Sequence, residues 1–172
     1  CQNMTFDLRQ LEKDFAGEPV EFVGVFPNVS TTEAQIATFQ QTYGLSMSLH
    51  LDTTNWAGTL GARWTPEVFV LDAADSVVYQ GRINDRYFAP GKRKPKTKRR
   101  DLDAALRDCL AGRSVAEPFT DAVGCPIEGV RLSVPDRRGD RLHSAAEKSG
   151  GVRFNPSKAT QRTRKGRPEG RP

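Results

Sequence analysis

Residues 61–72 read G-A-R-W-T-P-E-V-F-V-L-D, and the proline at the mouth of this apolar run constrains the fold more than any other feature. Pro66 has no backbone N–H, so the middle of a sheet ladder excludes it. It must open the strand that Glu67, Val68, Phe69, Val70 and Leu71 go on to form, a run rich in β-branched and aromatic residues. The ring also pushes Thr65 towards extended backbone. An X-Pro bond prefers trans by only about 0.5–1 kcal/mol, so these residues leave both isomers open, trans being the ordinary one.

The rest of the chain supplies elements for that strand to join. Met4, Leu8, Leu11 and Phe15 recur at helical spacing and predict a helix over residues 2–16, closed by Gly17. Residues 20–26 (V-E-F-V-G-V-F) are almost continuously apolar, as in a strand covered on both faces. Pro27-Asn28 breaks that run. Ser30 and Glu33 stand at capping-box spacing before a helix that turns Ile36, Phe39 and Tyr43 inward and stops at Gly44. A weaker strand is expected over 45–51 and a short helix over 55–60. After the Pro66 strand, a turn at 72–75 and a strand at 76–81 predict a hairpin. Residues 84–98 read as a polar, basic loop. Leu102, Leu106 and Leu110 then predict a helix over 101–110, with Asp101 and Asp103 suited to its positive end. The order α-β-α-β-α-β-β-α implies parallel crossovers followed by an antiparallel hairpin. The expected fold class is α/β, a mixed central sheet with helices on both faces.

Charge divides the chain. The net charge is +5, yet residues 130–172 hold twelve Lys/Arg against four Asp/Glu, and residues 1–129 hold fourteen against seventeen. Seven of those fourteen positive charges crowd into residues 92–100. The expected division is a folded domain at 1–116, a linker at 117–129, and a basic tail at 130–172. The tail is expected to be disordered because it is too poor in apolar residues to offset the entropy of ordering.

Several function classes are excluded on the same reading. No apolar run approaches the roughly 20 residues of a membrane-spanning helix. Neither a P-loop nor a dinucleotide fingerprint is present. His50 and His143 are isolated, so no metal site is expected. Residues 91–100, where the basic charge is concentrated, hold no aromatic residue and the tail only Phe154, so their charge reads as solvated rather than as a specific nucleic-acid surface.

Three cysteines, Cys1, Cys109 and Cys125, are odd in number and widely spaced, which argues against a disulfide framework. Cys1 stands at the start of the first helix, where unpaired N–H groups and the helix dipole favour a thiolate. Alternatively, it is only where the sequence begins. Cys109 reads as a small, partly buried side chain. Cys125, in V-G-C-P-I, is either a distal resolving thiol or an ordinary linker thiol. Trp56 and Trp64 read as packing residues. Arg82, Asp85 and Arg86 form either a surface charge cluster or a catalytic set.

One longer pattern runs through the chain: F-V-G-V at 22–25, T-P-E-V-F-V-L-D at 65–72, Y-x-G-R-I-N-D-R at 79–86, R-R-D-L-D-A-A-L at 99–106, L-A-G-R-S-V at 110–115 and V-G-C-P-I at 123–127. Over residues 1–129 it resembles a redoxin family of the alkyl hydroperoxide reductase/thiol-specific antioxidant type, common in environmental bacteria. The resemblance implies a thioredoxin-like fold whose first strand would lie just before Cys1. The sequence starts with Cys rather than Met, so an upstream truncation is expected. It implies that Thr65-Pro66 is cis, faces the redox cysteines and presents backbone to a bound partner, and that Trp64 walls the site. Cys1 is then the resolving cysteine of a C-x-x-C whose attacking cysteine is expected upstream with the missing strand, or in another register the attacking one itself. The implied activity is thiol–disulfide exchange or peroxiredoxin-like peroxide reduction, without a cofactor, on a thiol or disulfide protein or a small peroxide. The alternative is a catalytically inactive thioredoxin-fold interaction module of a larger multidomain protein. Members of the family are often exported, which implies a periplasmic or secreted location. Beyond Gly129 the pattern gives way to the Arg/Pro/Gly-rich tail, a genuine appendage or the product of a shifted reading frame.

Overall fold

A computed structural model describes residues 2–129 and 152–154, and it is a mixed α/β structure of four α-helices and several small sheets among those residues. A single 3-10 turn, Gln2–Met4, leads into α1 (Thr5–Asp14). The apolar run at 20–26 forms two strands broken at Phe22, β1 (Val20–Glu21) and β2 (Val23–Phe26). α2 (Glu33–Tyr43) follows, but its cap differs from the sequence expectation. Thr32, not Ser30, accepts the Gln35 N–H, and the Gln35 side chain closes the box on the Thr32 N–H. Ser30 is held instead by Asn28 Oδ1, at 3.0 Å from its backbone nitrogen and 2.8 Å from its hydroxyl. Gly44 ends α2 in the left-handed conformation, φ 59°.

β3 (Ser48–Leu51) lies parallel to β2, and α3 (Trp56–Leu60) comes next. The Asp52 carboxylate accepts from the N–H groups of Trp56 and Ala57, at 2.7 and 2.9 Å, and so caps α3 from outside it. β4 (Trp64–Thr65) and β5 (Val68–Leu71) flank Pro66. β5 pairs with β6 (Val77–Gly81) in the expected antiparallel hairpin, Val70 opposite Tyr79, with Asp72 Oδ1 accepting from Ala74 and Ser76 across the turn.

The period-2 alternation of β5 sorts the core. Val68 and Val70 face one cluster, where Met4, Leu11 and Phe15 of the N-terminal helical segment meet Leu102, Ala105 and Leu106 of α4 (Asp101–Leu110). Phe69 and Leu71 face the other, with Ala57 and Leu60 of α3 and with Ala62. Helices thus cover both faces of the β5–β6 hairpin. Val70 and Leu102 are fully buried at its centre.

Three stretches depart from the sequence expectations. The basic loop contains a short hairpin, β7 (Tyr87–Ala89) with β8 (Lys92–Arg93), turned by Gly91 at φ 70°. Residues 117–129, read as a linker, run along the domain. The Pro118 carbonyl and Thr120 N–H bond the backbone of Gln80, because the outer edge of β6 needs partners. Further on, β9 (Cys125–Pro126) pairs antiparallel with β4. The tail expected to be disordered lies outside the described residues, except for β10 (Val152–Phe154), a strand between β1 and β5.

Candidate functional site

The site grows from the two-residue strand before Pro66. The Thr65-Pro66 peptide bond is cis. Glu67 fixes the approach to it, its carboxylate accepting from the N–H groups of Arg63 at 2.8 Å and Trp64 at 3.2 Å, and from Gln80 Nε2 at 3.0 Å. Against this edge lies β9, with Trp64 opposite Pro126 and Thr65 opposite Cys125. Pro126, which has no N–H, sits between the Ile127 N–H donating to the Arg63 carbonyl (3.0 Å) and the Cys125 carbonyl accepting from Thr65 Oγ1 (3.4 Å).

Gly124 makes that approach possible. A Cβ there would run into the carbonyl group of Thr65 and press on the nitrogen of Pro66. The backbones therefore come closer than any side-chain-bearing residue allows.

Thr65, Pro66, Trp64 and Cys125, separate candidates in the sequence, are thus one cluster, and all four line the same cavity. The cavity encloses about 540 Å³ between β2 on one side and residues 64–69 on the other, with Leu8, Ile83 and Leu102 above and Trp56, Ala57 and Leu60 below. Cys125 is exposed and Trp64 is 39% exposed, at the open side. Thr65 was expected to offer its backbone to a partner. That ladder position is filled from within the chain by Cys125.

Cys1 lies outside the described residues. Thr5, in the first turn of α1, lines the cavity.

Cys109 is elsewhere, on α4 against the first core cluster. Burial pushes its thiol up from the ordinary range, and the carboxylates of Asp108 and Asp72 push it the same way. Arg82, Asp85 and Arg86 do not join the cavity cluster. Arg82 Nε donates to Asp101 at 2.7 Å. Asp85 accepts from Lys94 Nζ at 2.7 Å and from the N–H groups of Lys98 and Arg99 at 2.8 and 2.9 Å. These bonds tie the basic loop to the start of α4, and the Lys94 ammonium foremost holds the Asp85 carboxyl far below its ordinary range.

His50 is exposed on β3, and His143 lies outside the described residues. Among the described residues no group of His, Cys, Asp and Glu is placed to hold a metal ion, and no helix is long and apolar enough to cross a membrane.

The sequence reading missed Gly124 and Thr120. The Gly before Cys-Pro was the signal for the first. Nothing local marked Thr120, whose hydroxyl meets the Tyr79 hydroxyl at 2.7 Å. No protein-family model matches the chain, and no curated protein matches it closely enough to count as a relative.

Proposed function

We propose that this chain carries out thiol–disulfide exchange in a thioredoxin-like domain of the redoxin type, with Cys125 as the resolving thiol. The observation that carries the reading is the placement of Cys125 in register with Thr65 at the mouth of an apolar cavity. A sequence separation of 60 residues collapses to one ladder step. The second thiol of the cycle is assigned to Cys1, at the head of the helix whose first turn lines the cavity.

The Cys1 thiolate attacks one sulfur of a partner's disulfide. A mixed disulfide forms, and the partner's other sulfur leaves as a thiolate that takes up a proton. Cys125 then attacks the Cys1 sulfur, forming an intrachain disulfide and releasing the partner's second thiol. Two electrons have passed to the partner, and an external dithiol reductant restores the pair. The half-buried Cys109, its thiol pushed up, stays outside this cycle.

The test is oxidation of the full chain with an excess of a small disulfide, followed by peptide mapping without reduction. A Cys1–Cys125 disulfide is expected, with Cys109 free. Cys125→Ser should trap the mixed disulfide on Cys1. If Cys125→Ser and Cys1→Ser both leave the rate of exchange unchanged, the redox reading fails, and a non-catalytic thioredoxin-fold interaction module is the better description.

A further inference from the structure

Residues 92–100 carry seven cations and no acid, and the fold sorts those cations into two sets. Three are neutralised by the domain: Lys94 meets Asp85, Arg99 meets Asp101 and Glu117, and Arg100 meets Asp14. The other four, Lys92, Arg93, Lys96 and Lys98, are exposed and make no ion pair among the described residues. The tail is a poor counterion for them, because residues 130–172 hold twelve Lys/Arg against four Asp/Glu.

The same loop presents apolar surface. Tyr87 stands opposite Arg93 and Ala89 opposite Lys92, which leaves Phe88 as the extra residue of a bulge, without a cross-strand neighbour. Tyr87 packs against the first core cluster, whereas Phe88 is 58% exposed. Phe88, Ala89, Pro90 and Gly91 make an uncharged tip, and Lys92 and Arg93 follow it directly. The base of the hairpin is fixed. The Lys94 N–H donates to the Arg86 carbonyl at 2.7 Å, and Asp85 grips the Lys94 ammonium and the N–H groups of Lys98 and Arg99. An apolar tip with a collar of cations thus stands on a rigid support.

Each feature alone is ordinary, since single exposed apolar residues are common on protein surfaces. Together they match a surface that is anionic at its face and apolar just beneath, as a bilayer containing acidic lipids is. A nucleic-acid strand would use the charge but not the tip. Bases stack on successive aromatic faces, and Tyr87, the other ring of the hairpin, is turned into the core.

We propose that the β7–β8 hairpin docks this domain onto an anionic lipid surface, Phe88 entering the acyl boundary while Lys92, Arg93, Lys96 and Lys98 lie among the headgroups. The contact is peripheral and reversible, because a single ring and a cationic collar fall far short of a spanning helix. No thiol takes part, so the docking stands or falls apart from the exchange chemistry.

The test is sedimentation of the full chain with vesicles of phosphatidylcholine alone, or of phosphatidylcholine and phosphatidylglycerol in equal parts. Binding to the mixed vesicles is expected, weakened by added salt, with little binding to phosphatidylcholine. Lys92→Gln with Arg93→Gln should weaken it about 25-fold, roughly fivefold for each cation lost. Arg162→Gln with Arg164→Gln, in the tail, should cost less. Phe88→Ser should weaken binding about tenfold with every charge intact. Phe88→Trp supplies a reporter: the emission it adds to the wild-type spectrum should shift to the blue on mixed vesicles and be quenched by brominated lipid. Wild-type affinity in Phe88→Ser, or in Lys92→Gln with Arg93→Gln, overturns the proposal, because the basic tail then suffices. Tighter binding of a single-stranded oligothymidylate, lost in the same variants, overturns it in favour of a nucleic-acid partner.

Discussion

Cys125 stands opposite Thr65 in a two-residue antiparallel ladder, and the residue before it, Gly124, lies against the Thr65 carbonyl. The ladder is short, so its geometry rests on that one close approach. Gly124→Ala puts a methyl group where backbone already is, and the segment must shift outward. A cost of about 1–3 kcal/mol is expected, as for overpacking elsewhere. Urea unfolding measures it. Gly112→Ala serves as comparison, having open space around it and only the cost of a left-handed φ of 67°. A Gly124→Ala loss no greater than that of Gly112→Ala would show that the contact at Thr65 yields freely.

The two described cysteines differ in environment, and alkylation should separate them. Cys125 is exposed, whereas Cys109 is half-buried and its thiol is pushed up by burial and by Asp108. The thiolate is the reacting form. At pH 7.5 iodoacetamide should modify Cys125 at least tenfold faster than Cys109, read by mass spectrometry of the digested chain. Mild denaturation should erase the difference. Comparable rates in the folded protein would contradict the placement of Cys109.

Much of this framework was legible in the chain. Pro66 announced where β5 begins, and the β-branched and aromatic run Val68, Phe69, Val70 and Leu71 announced the strand, whose two faces join the two core clusters. Gly44 and Gly61 marked helix ends at left-handed positions. Partnerships at long range were not legible. Cys125 and Thr65 are 60 residues apart, and the ladder between them has no periodicity to reveal it. Residues 117–129 looked like a linker because from residue 113 onward Pro and Gly become frequent and periodicity disappears. Their role is to satisfy the edges of β4 and β6, a demand that exists only once the sheet is assembled. The Ser30 cap failed for a local reason, since Asn28 competes for the Ser30 hydroxyl and Thr32 is better placed.

Tyr79 tests how firmly that segment is held. Its buried hydroxyl donates to the Arg82 carbonyl at 2.6 Å and pairs with Thr120, whose Oγ1 also accepts from the Arg82 N–H at 3.1 Å. Tyr79→Phe leaves these groups short of a partner, at a cost of about 1–3 kcal/mol. Thr120→Val costs a similar amount, and the double variant should lose less than the sum, because both changes break one network. Burial above all pushes the Tyr79 phenol up to about 12. The unfolded phenol titrates near 10. The folded state therefore holds its proton longer, and this contribution to stability is present below about pH 10 and lost as pH rises towards 12. Alkaline unfolding should be less steep in Tyr79→Phe than in the wild type. A spectroscopic titration should show one of the three tyrosines ionising late.

Asp85 governs the acid side. Its carboxylate gathers the Lys94 ammonium and two backbone N–H groups, which together stop the basic loop from splaying away from α4. Those bonds hold its carboxyl far below the unfolded value of about 3.9. A lowered folded pKa means that the stabilisation is fully present above pH 4 and lost as pH falls below it. Asp85→Asn removes that dependence. The variant should start less stable at pH 7, by about 1.5–3 kcal/mol for charge-assisted hydrogen bonds, and lose less on acidification than the wild type. Thermal unfolding at pH 7, 5 and 3 measures both. The loop gives an independent readout, because six of its seven positive residues at 92–100 are trypsin sites, Lys94 being followed by Pro95. Cleavage there should quicken severalfold in Asp85→Asn at neutral pH, while sites within α1 stay protected. Unchanged cleavage would mean that the loop is held by the β7–β8 hairpin rather than by Asp85.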